Sequence, residues 1–322
     1  LDVPIIGELP FIKFIESEQN KDITVQDIDE SLKLIDPKDK QKNYQRFIYQ
    51  ESLRNIFTSI KFLNSDNKLK IISLTSCIPK EGKSLTNVLI SKAFSELDLR
   101  VLLIDCDLRK SRIHERLNLN NIKGISNYLT DDNNNWEEYI QNVPNYPSWD
   151  VITAGVTPPD ATRLLNSEKM LKLIEKLRVS ERYDLVLIDN PPLLGLSDSF
   201  LTSSYCDGLV LIVSLGNVNR SFPIEAISRI KKLKTPLLGV ITNSVKDQIN
   251  TSLFQNKSYG YGYGYGYGYG YSENVYTNYV STDEKEDSDE DQLEFSLKNL
   301  TFKKLKGFIK IKSKDFLNWL KD

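Results

Sequence analysis

The chain is poor in the residues on which many site chemistries rest. Its 322 residues include one histidine, His114, one methionine, Met170, and three cysteines, Cys77, Cys106 and Cys206. A single histidine excludes a Ser–His–Asp triad and any histidine-rich metal site. The cysteines lack C-x-x-C spacing, so neither a zinc site nor a disulfide framework is expected, and a reduced cytosolic setting is. No run of about 18 apolar residues occurs, so no membrane-spanning helix is expected within the chain. The net charge of −2 gives no global pull towards nucleic acid, and no nucleic-acid partner is expected. The first residue is Leu1, not Met, as expected of a fragment or processed chain with room for a membrane anchor upstream. What remains for chemistry is carboxylate, lysine and phosphate binding.

Residues 1–43 mix proline, glycine and charge and read as an extended lead-in. Residues 44–63 carry apolar side chains at helical spacing. Strands then alternate with helices. Strands are expected at Lys70–Thr75, Val101–Ile104, Trp149–Thr153, Leu185–Ile188, Gly208–Val213 and Leu237–Thr242, and helices at about 83–97, 168–179 and 223–234. Continuous apolar strands alternating with helices predict an α/β fold, a mostly parallel sheet with helices on both faces. After Asn243 the composition changes. Residues 259–271 read YGYGYGYGYGYGY, 283–294 hold eight acids and one lysine, and 296–322 hold eight lysines and two aspartates with apolar residues on one helical face. This divides the chain into a lead-in (1–43), an α/β domain (44–255), a flexible tyrosine-rich tail (256–282), an acidic spacer (283–295) and a basic amphipathic segment (296–322). The last could lie on an anionic membrane, fold back on the acidic run or stand as a solvated helix.

Three strand ends carry candidate chemistry. Ser76–Ser84 reads SCIPKEGKS between a strand and a helix, the context of a phosphate-binding loop. Loop amides from Ser76, Cys77, Ile78, Pro79 (which lacks an N–H), Lys80, Glu81, Gly82, Lys83, Ser84 and Leu85 surround such a phosphate. Lys83 would reach the β- and γ-phosphates and Ser84 would bind Mg²⁺. The motif is degenerate, since Cys77 stands where it requires glycine. VLLIDCDLR, at 101–109, ends in Asp105 and Asp107, which share a side if extended. LVLIDNPP, at 185–192, ends in Asp189, the form of a Walker B strand. Each aspartate alone could be an ordinary strand-ending turn residue; three together point to ATP and Mg²⁺.

These motifs resemble those of the bacterial tyrosine kinases that work with polysaccharide chain-length regulators, over about residues 1–280. Weaker echoes are DVPIIGELP (2–10), GISNYL (124–129), GVTPPD (155–160) and LLGVITN (237–243). The resemblance implies a P-loop NTPase fold. It gives Lys83 and Ser84 to ATP–Mg²⁺, Asp105 the role of base towards tyrosine, Asp107 and Asp189 metal contacts, and Asn243 a place near the nucleotide base. It also implies a homo-oligomer, a membrane-anchored chain-length or export regulator as partner, a cognate tyrosine phosphatase, a role in exopolysaccharide or capsule production, and a site at the inner face of the plasma membrane. The sequence departs from the family at Lys80 (usually Gly), Asn190 (Ser or Thr), Ser111 (often Pro), and Asp160 and Arg163. The ring-forming E-x-x-R-x-x-R keeps Glu51 and Arg54 but has Phe57 in place of its last arginine.

Phosphoryl transfer needs positioning and charge neutralisation, for which Lys83, Arg109 and Mg²⁺ are expected. A salt bridge to a neighbouring acid is the plainer role for Arg109, and a structural one for His114. The expected acceptors are Tyr259, Tyr261, Tyr263, Tyr265, Tyr267, Tyr269, Tyr271, Tyr276 and Tyr279. Extended, the stretch from Asn243 to Tyr259 spans up to ~50 Å, enough to reach a neighbour's site. Phosphates there would repel one another and weaken self-association. Alternative functions are an ATP-driven dimerisation switch and a degenerate nucleotide-binding scaffold.

Overall fold

The computed structural model describes residues 3–10, 23–33, 39–63, 69–132, 135–216, 218–232 and 235–244. The tyrosine tail, acidic spacer and basic segment expected at 256–322 lie outside the described residues.

The elements are β1 (Ile5–Leu9), α1 (Val25–Lys33), α2 (Lys40–Leu63), β2 (Ile71–Ser76), α3 (Lys83–Glu96), β3 (Val101–Asp105), α4 (Ile113–Leu117), α5 (Ile125–Thr130), β4 (Gln141–Asn142), β5 (Trp149–Ile152), α6 (Ala161–Leu165), α7 (Glu168–Val179), β6 (Leu185–Asp189), α8 (Asp198–Ser203), β7 (Gly208–Leu215), α9 (Ser221–Ile230) and β8 (Leu237–Ser244). The strands form one sheet in the order β1-β8-β7-β2-β6-β3-β5-β4. Every pairing is parallel except β4 with β5.

The apolar strand runs are explained by burial on both faces. Ile72 and Leu74 of β2, Val101 and Leu103 of β3, and Leu185 and Leu187 of β6 face a core shared with α1, α2 and α3. Ile71, Leu102, Ile104, Val186 and Ile188, the alternate positions, face a second core with α5, α6 and α7. Side chains alternate across a strand, so sandwiched strands must be apolar throughout. Helix α7 shows the matching helical stripe, with Met170, Leu173, Ile174 and Leu177 buried and Ser167 capping its N-terminus by accepting from Met170 N at 3.2 Å.

Residues 1–43 do not form only an extended lead-in. Strand β1 pairs with β8 along the sheet edge, Gly7 opposite Ile241, and α1 buries Val25 and Ile28. The compact unit runs from Ile5 to Val245, so its start precedes the expected 44. The DVPIIGELP run is short and ends in proline, which hid the strand. Helix α2 lies against β1 so closely that a Cβ on Gly7 would sit 2.1 Å from Ile56 Cγ1. Gly7→Val is expected to destabilise the domain by about 1–3 kcal/mol through overpacking, read as a lowered thermal midpoint. Combined with Ile56→Ala, the loss should be less than the sum of the two single variants.

Candidate nucleotide and phosphoryl-transfer site

At the C-terminal end of β2 the chain makes a tight loop before α3. Its last residue, Gly82, has φ 78°, and a Cβ there would stand 2.5 Å from Asn243 Nδ2. Asn243, near the end of β8, donates that amide to Glu81 O at 3.1 Å. Glu81 folds back into the protein: its carboxylate accepts from Ile78 N at 2.7 Å and from Ser214 N on β7 at 3.1 Å. Burial pushes the Glu81 carboxyl up, against the pull of those amides. Ser76 Oγ donates to Ile78 O at 2.9 Å, and the amides of Leu193 and Leu194 donate to the carbonyls of Ser76 and Cys77. The loop is thus braced from β7, β8 and the segment after β6. Cys77 is buried without positive φ, so a non-glycine fits there, and burial pushes its thiol up, leaving it an inert filler. Lys80, exposed beside Pro79, takes φ 70°, a conformation that favours glycine. Leu85 packs against the first core.

Three strands converge on Lys83. Its Nζ donates to Asp189 Oδ1 at 2.6 Å and lies 3.6 Å from Asp107 Oδ2. Ser84 Oγ donates to the other oxygen of Asp189 at 2.9 Å. Asp105 and Asp189 are register partners at the ends of the adjacent strands β3 and β6. Asp105 Oδ1 accepts from Asp107 N at 3.1 Å and Oδ2 from Ser111 Oγ at 2.8 Å. All three carboxylates are buried. Burial, and then the charge of Asp189, pushes Asp105 up to about 8, against the pull of Lys83 and the Ser111 hydrogen bond. Burial also raises Asp189. For Lys83, burial works against the charge, but the carboxylates win and its affinity for a proton rises.

One lysine among three carboxylates leaves surplus negative charge in a buried place. A divalent cation is the group that this donor set fits, and Ser84 Oγ, Asp189 and Asp107 are the atoms that would hold it. Among the described residues no three His, Cys, Asp or Glu side chains cluster with metal-ligand geometry; Mg²⁺ commonly takes one or two carboxylates and completes its shell with water and substrate phosphates.

Other expected site residues stand elsewhere. Arg109 Nε donates to Asp198 Oδ2 at 2.7 Å, and Thr162 Oγ1 to Asp198 Oδ1 at 2.6 Å. These bonds hold the buried Asp198 carboxyl below its usual range, against the push of burial. Arg109 is therefore committed to a salt bridge. Glu51 and Arg54 pair with each other on α2 at 2.6 Å. Phe57, which replaces the last arginine of that motif, packs edge-on against Phe94 of α3, ring centroids 5.2 Å apart. Asn190 donates to Ser73 Oγ at 2.6 Å and accepts from Thr202 within a buried polar network. The nine candidate acceptor tyrosines, Tyr259 to Tyr279, lie outside the described residues.

Asn87, and the side-chain role of Glu81, escaped sequence reasoning. Asn87, one turn beyond Ser84 on α3, donates to Asp189 Oδ1 at 2.5 Å; its position one helical turn past the loop serine was the available signal. The Glu81 side chain offered no signal, since the amide that ties it to the sheet, Ser214 N, comes from β7, 133 residues away.

A Gly–Lys–Ser loop opening a helix, with a buried aspartate of the next strand on both lysine and serine, defines a P-loop nucleoside-triphosphate-binding fold. The comparisons with known proteins narrow that class. A family model described as AAA domain matches residues 69–233. Tyrosine-protein kinase YwqD of Bacillus subtilis is 34% identical over 196 residues, covering 61% of this chain and 81% of that one. Tyrosine-protein kinase wzc of Salmonella typhimurium is 34% identical over 196 residues, but only 27% of its length is covered. The solved structure titled BceF Tyrosine Kinase Domain superposes with a TM-score of 0.58 at 27% identity, covering 76% of this chain and 94% of that one. The chain belongs to the bacterial tyrosine kinases, P-loop NTPases of this AAA domain family.

The raised Asp105 carboxyl gives a pH test. The folded protein holds a proton there that the unfolded chain has released, so stability falls as pH rises from about 4 towards 8. Asp105→Asn removes this penalty. Its thermal midpoint should exceed that of the parent at pH 8, and the margin should shrink towards pH 4. Lys80→Gly relieves the left-handed backbone and should add about 1 kcal/mol of stability in urea unfolding.

Proposed function

We propose that this protein is an ATP- and Mg²⁺-dependent protein-tyrosine kinase that phosphorylates its own C-terminal tyrosines, Tyr259 to Tyr279, from one copy to another. The observation that carries the proposal is the buried cluster in which Lys83 meets Asp189, Asp107 and Asp105 beside Ser84. Mg²⁺–ATP, when bound, supplies the phosphoryl group and the positive charge this cluster lacks. Lys83 offers its ammonium to the phosphate oxygens. Ser84, Asp189 and Asp107 would hold the metal, directly or through water, and Asn87 keeps Asp189 oriented. Asp105 receives the proton of the tyrosine hydroxyl. A phenol has a pKa near ~10, and burial that strengthens Asp105 as a base brings donor and acceptor closer. Arg109 acts through Asp198, holding the segment that carries both aspartates.

Asn243 sits beside Gly82 and the carbonyl of Glu81, which supports a place near the nucleotide. The relatives' names support tyrosine as the acceptor class, and alternating glycine leaves the tyrosines uncrowded. Transfer between copies implies a homo-oligomer, with Glu51 and Arg54 on the exposed side of α2 as its contact. Because the chain spans 27% of the wzc relative, a membrane-anchored regulator of exopolysaccharide or capsule production is proposed as partner or as a neighbouring part of the same protein. A tyrosine phosphatase would complete the cycle, at the cytoplasmic face of the membrane.

The test is incubation of the full chain with Mg²⁺–ATP and mapping of phosphotyrosine by mass spectrometry. Phosphate on Tyr259–Tyr279 is expected, and it should vanish in Lys83→Met and Asp105→Asn. Mixed with parent protein, Lys83→Met should become phosphorylated. Hydrolysis of ATP without phosphotyrosine would refute the kinase reading.

A further inference from the structure

Asp105 is held by a chain of hydrogen bonds that continues beyond it. Its Oδ2 accepts from Ser111 Oγ at 2.8 Å, and Ser111 Oγ lies 3.0 Å from His114 Nδ1. Ser111 is in the loop after β3, and His114 is in the first turn of α4, so one short segment supplies the base and both groups behind it. A serine hydroxyl has one proton and, once that proton goes to a carboxylate, can only accept from its second partner. With Asp105 as a carboxylate the imidazole then donates from Nδ1, so the Nδ1–H tautomer accompanies the working base and Nε2, 4.0 Å from Glu115 Oε1, carries no proton. Burial, opposed by Glu115 and aided by Arg112, lowers the affinity of His114 for a second proton, in keeping with a neutral ring.

We propose that Ser111 and His114 are positioning residues for Asp105: His114 sets the direction of the Ser111 hydroxyl, and that hydroxyl fixes the carboxylate plane towards the acceptor tyrosine. Without the hydroxyl, the amide of Asp107 is the one hydrogen-bond donor left to the carboxylate among the described residues. Proline at 111 would offer no hydroxyl, so this arm depends on serine at that position. The inference rests on the reading of Asp105 as the group that takes the tyrosine proton.

Two measurements on the full chain test it. His114 is the only histidine, so ¹⁵N-histidine labelling gives one pair of ring signals. At pH 9 the Nδ1–H tautomer is expected in the parent, and Ser111→Ala should return the ring to mostly Nε2–H. A parent spectrum already dominated by Nε2–H overturns the inference. In initial-rate assays of phosphotyrosine formation, Ser111→Ala should lower kcat about tenfold with KM for ATP within about twofold, because the nucleotide contacts are untouched. Ser111→Thr should restore most of the rate. His114→Leu should lower kcat about threefold, and His114→Asn, which keeps a donor near the Nδ1 position, should recover it. The Ser111→Ala/His114→Leu pair should be no slower than Ser111→Ala alone, since the ring acts through the hydroxyl. Additive losses, or an unchanged kcat in Ser111→Ala, overturn the inference while an inactive Asp105→Asn leaves the underlying reading standing. An active Asp105→Asn overturns that reading and the inference with it.

Discussion

One buried ammonium facing three buried carboxylates is the constraint around which this protein is arranged. Burying a charge is costly unless it is paired and hydrogen-bonded, and here the pairing is incomplete by design of the donor set. Lys83 can serve Asp189 and Asp107, yet Asp105 stands in register beside Asp189 on the next strand. The parallel sheet makes this possible. Its order places β2, β6 and β3 side by side, so the phosphate loop and both aspartate motifs arrive at one edge although about 100 residues of sequence separate Lys83 from Asp189. The surplus charge is what makes the site suited to a cationic ligand that brings phosphate with it.

The rest of the site keeps that cluster from relaxing. Ser84 and Asn87 join Lys83 in donating to Asp189. Asp107 N and Ser111 hold Asp105. Glu81 ties the loop to β7, and Asn243 ties it to the end of β8. Arg109, through Asp198 and Thr162, fixes the segment after β3 to α6 and α8. Apart from the two on Asp105, these contacts join the loop or an aspartate to a different element, so the geometry belongs to the fold rather than to any one motif.

Much of this was legible in the sequence because the relevant signals are local. Val101–Ile104 and Leu185–Ile188 are unbroken apolar runs ending in aspartate, and both strands end on that aspartate in the structure. Helix α7 spans Glu168–Val179, as its stripe implies. The sequence was silent where partners are distant. Glu81 looks like a solvated loop acid until β7 brings Ser214 N to it. Phe57 reads as a broken motif position, whereas it fastens α2 to Phe94. Strand β1 is short and gains its role only by pairing with β8, the last strand of the sheet in sequence. Short helices such as α4, α6 and α8 carry too few turns for periodicity to announce them.

The proposed role of the cluster's surplus negative charge is to hold a divalent cation that arrives with a nucleotide. Titration calorimetry of ADP, with and without Mg²⁺, on the parent and on Asp189→Asn addresses it directly. Mg²⁺ should tighten ADP binding to the parent by about tenfold or more, ~1.4 kcal/mol, and most of this gain should be lost in Asp189→Asn. Equal ADP affinity with and without Mg²⁺ in the parent would contradict it.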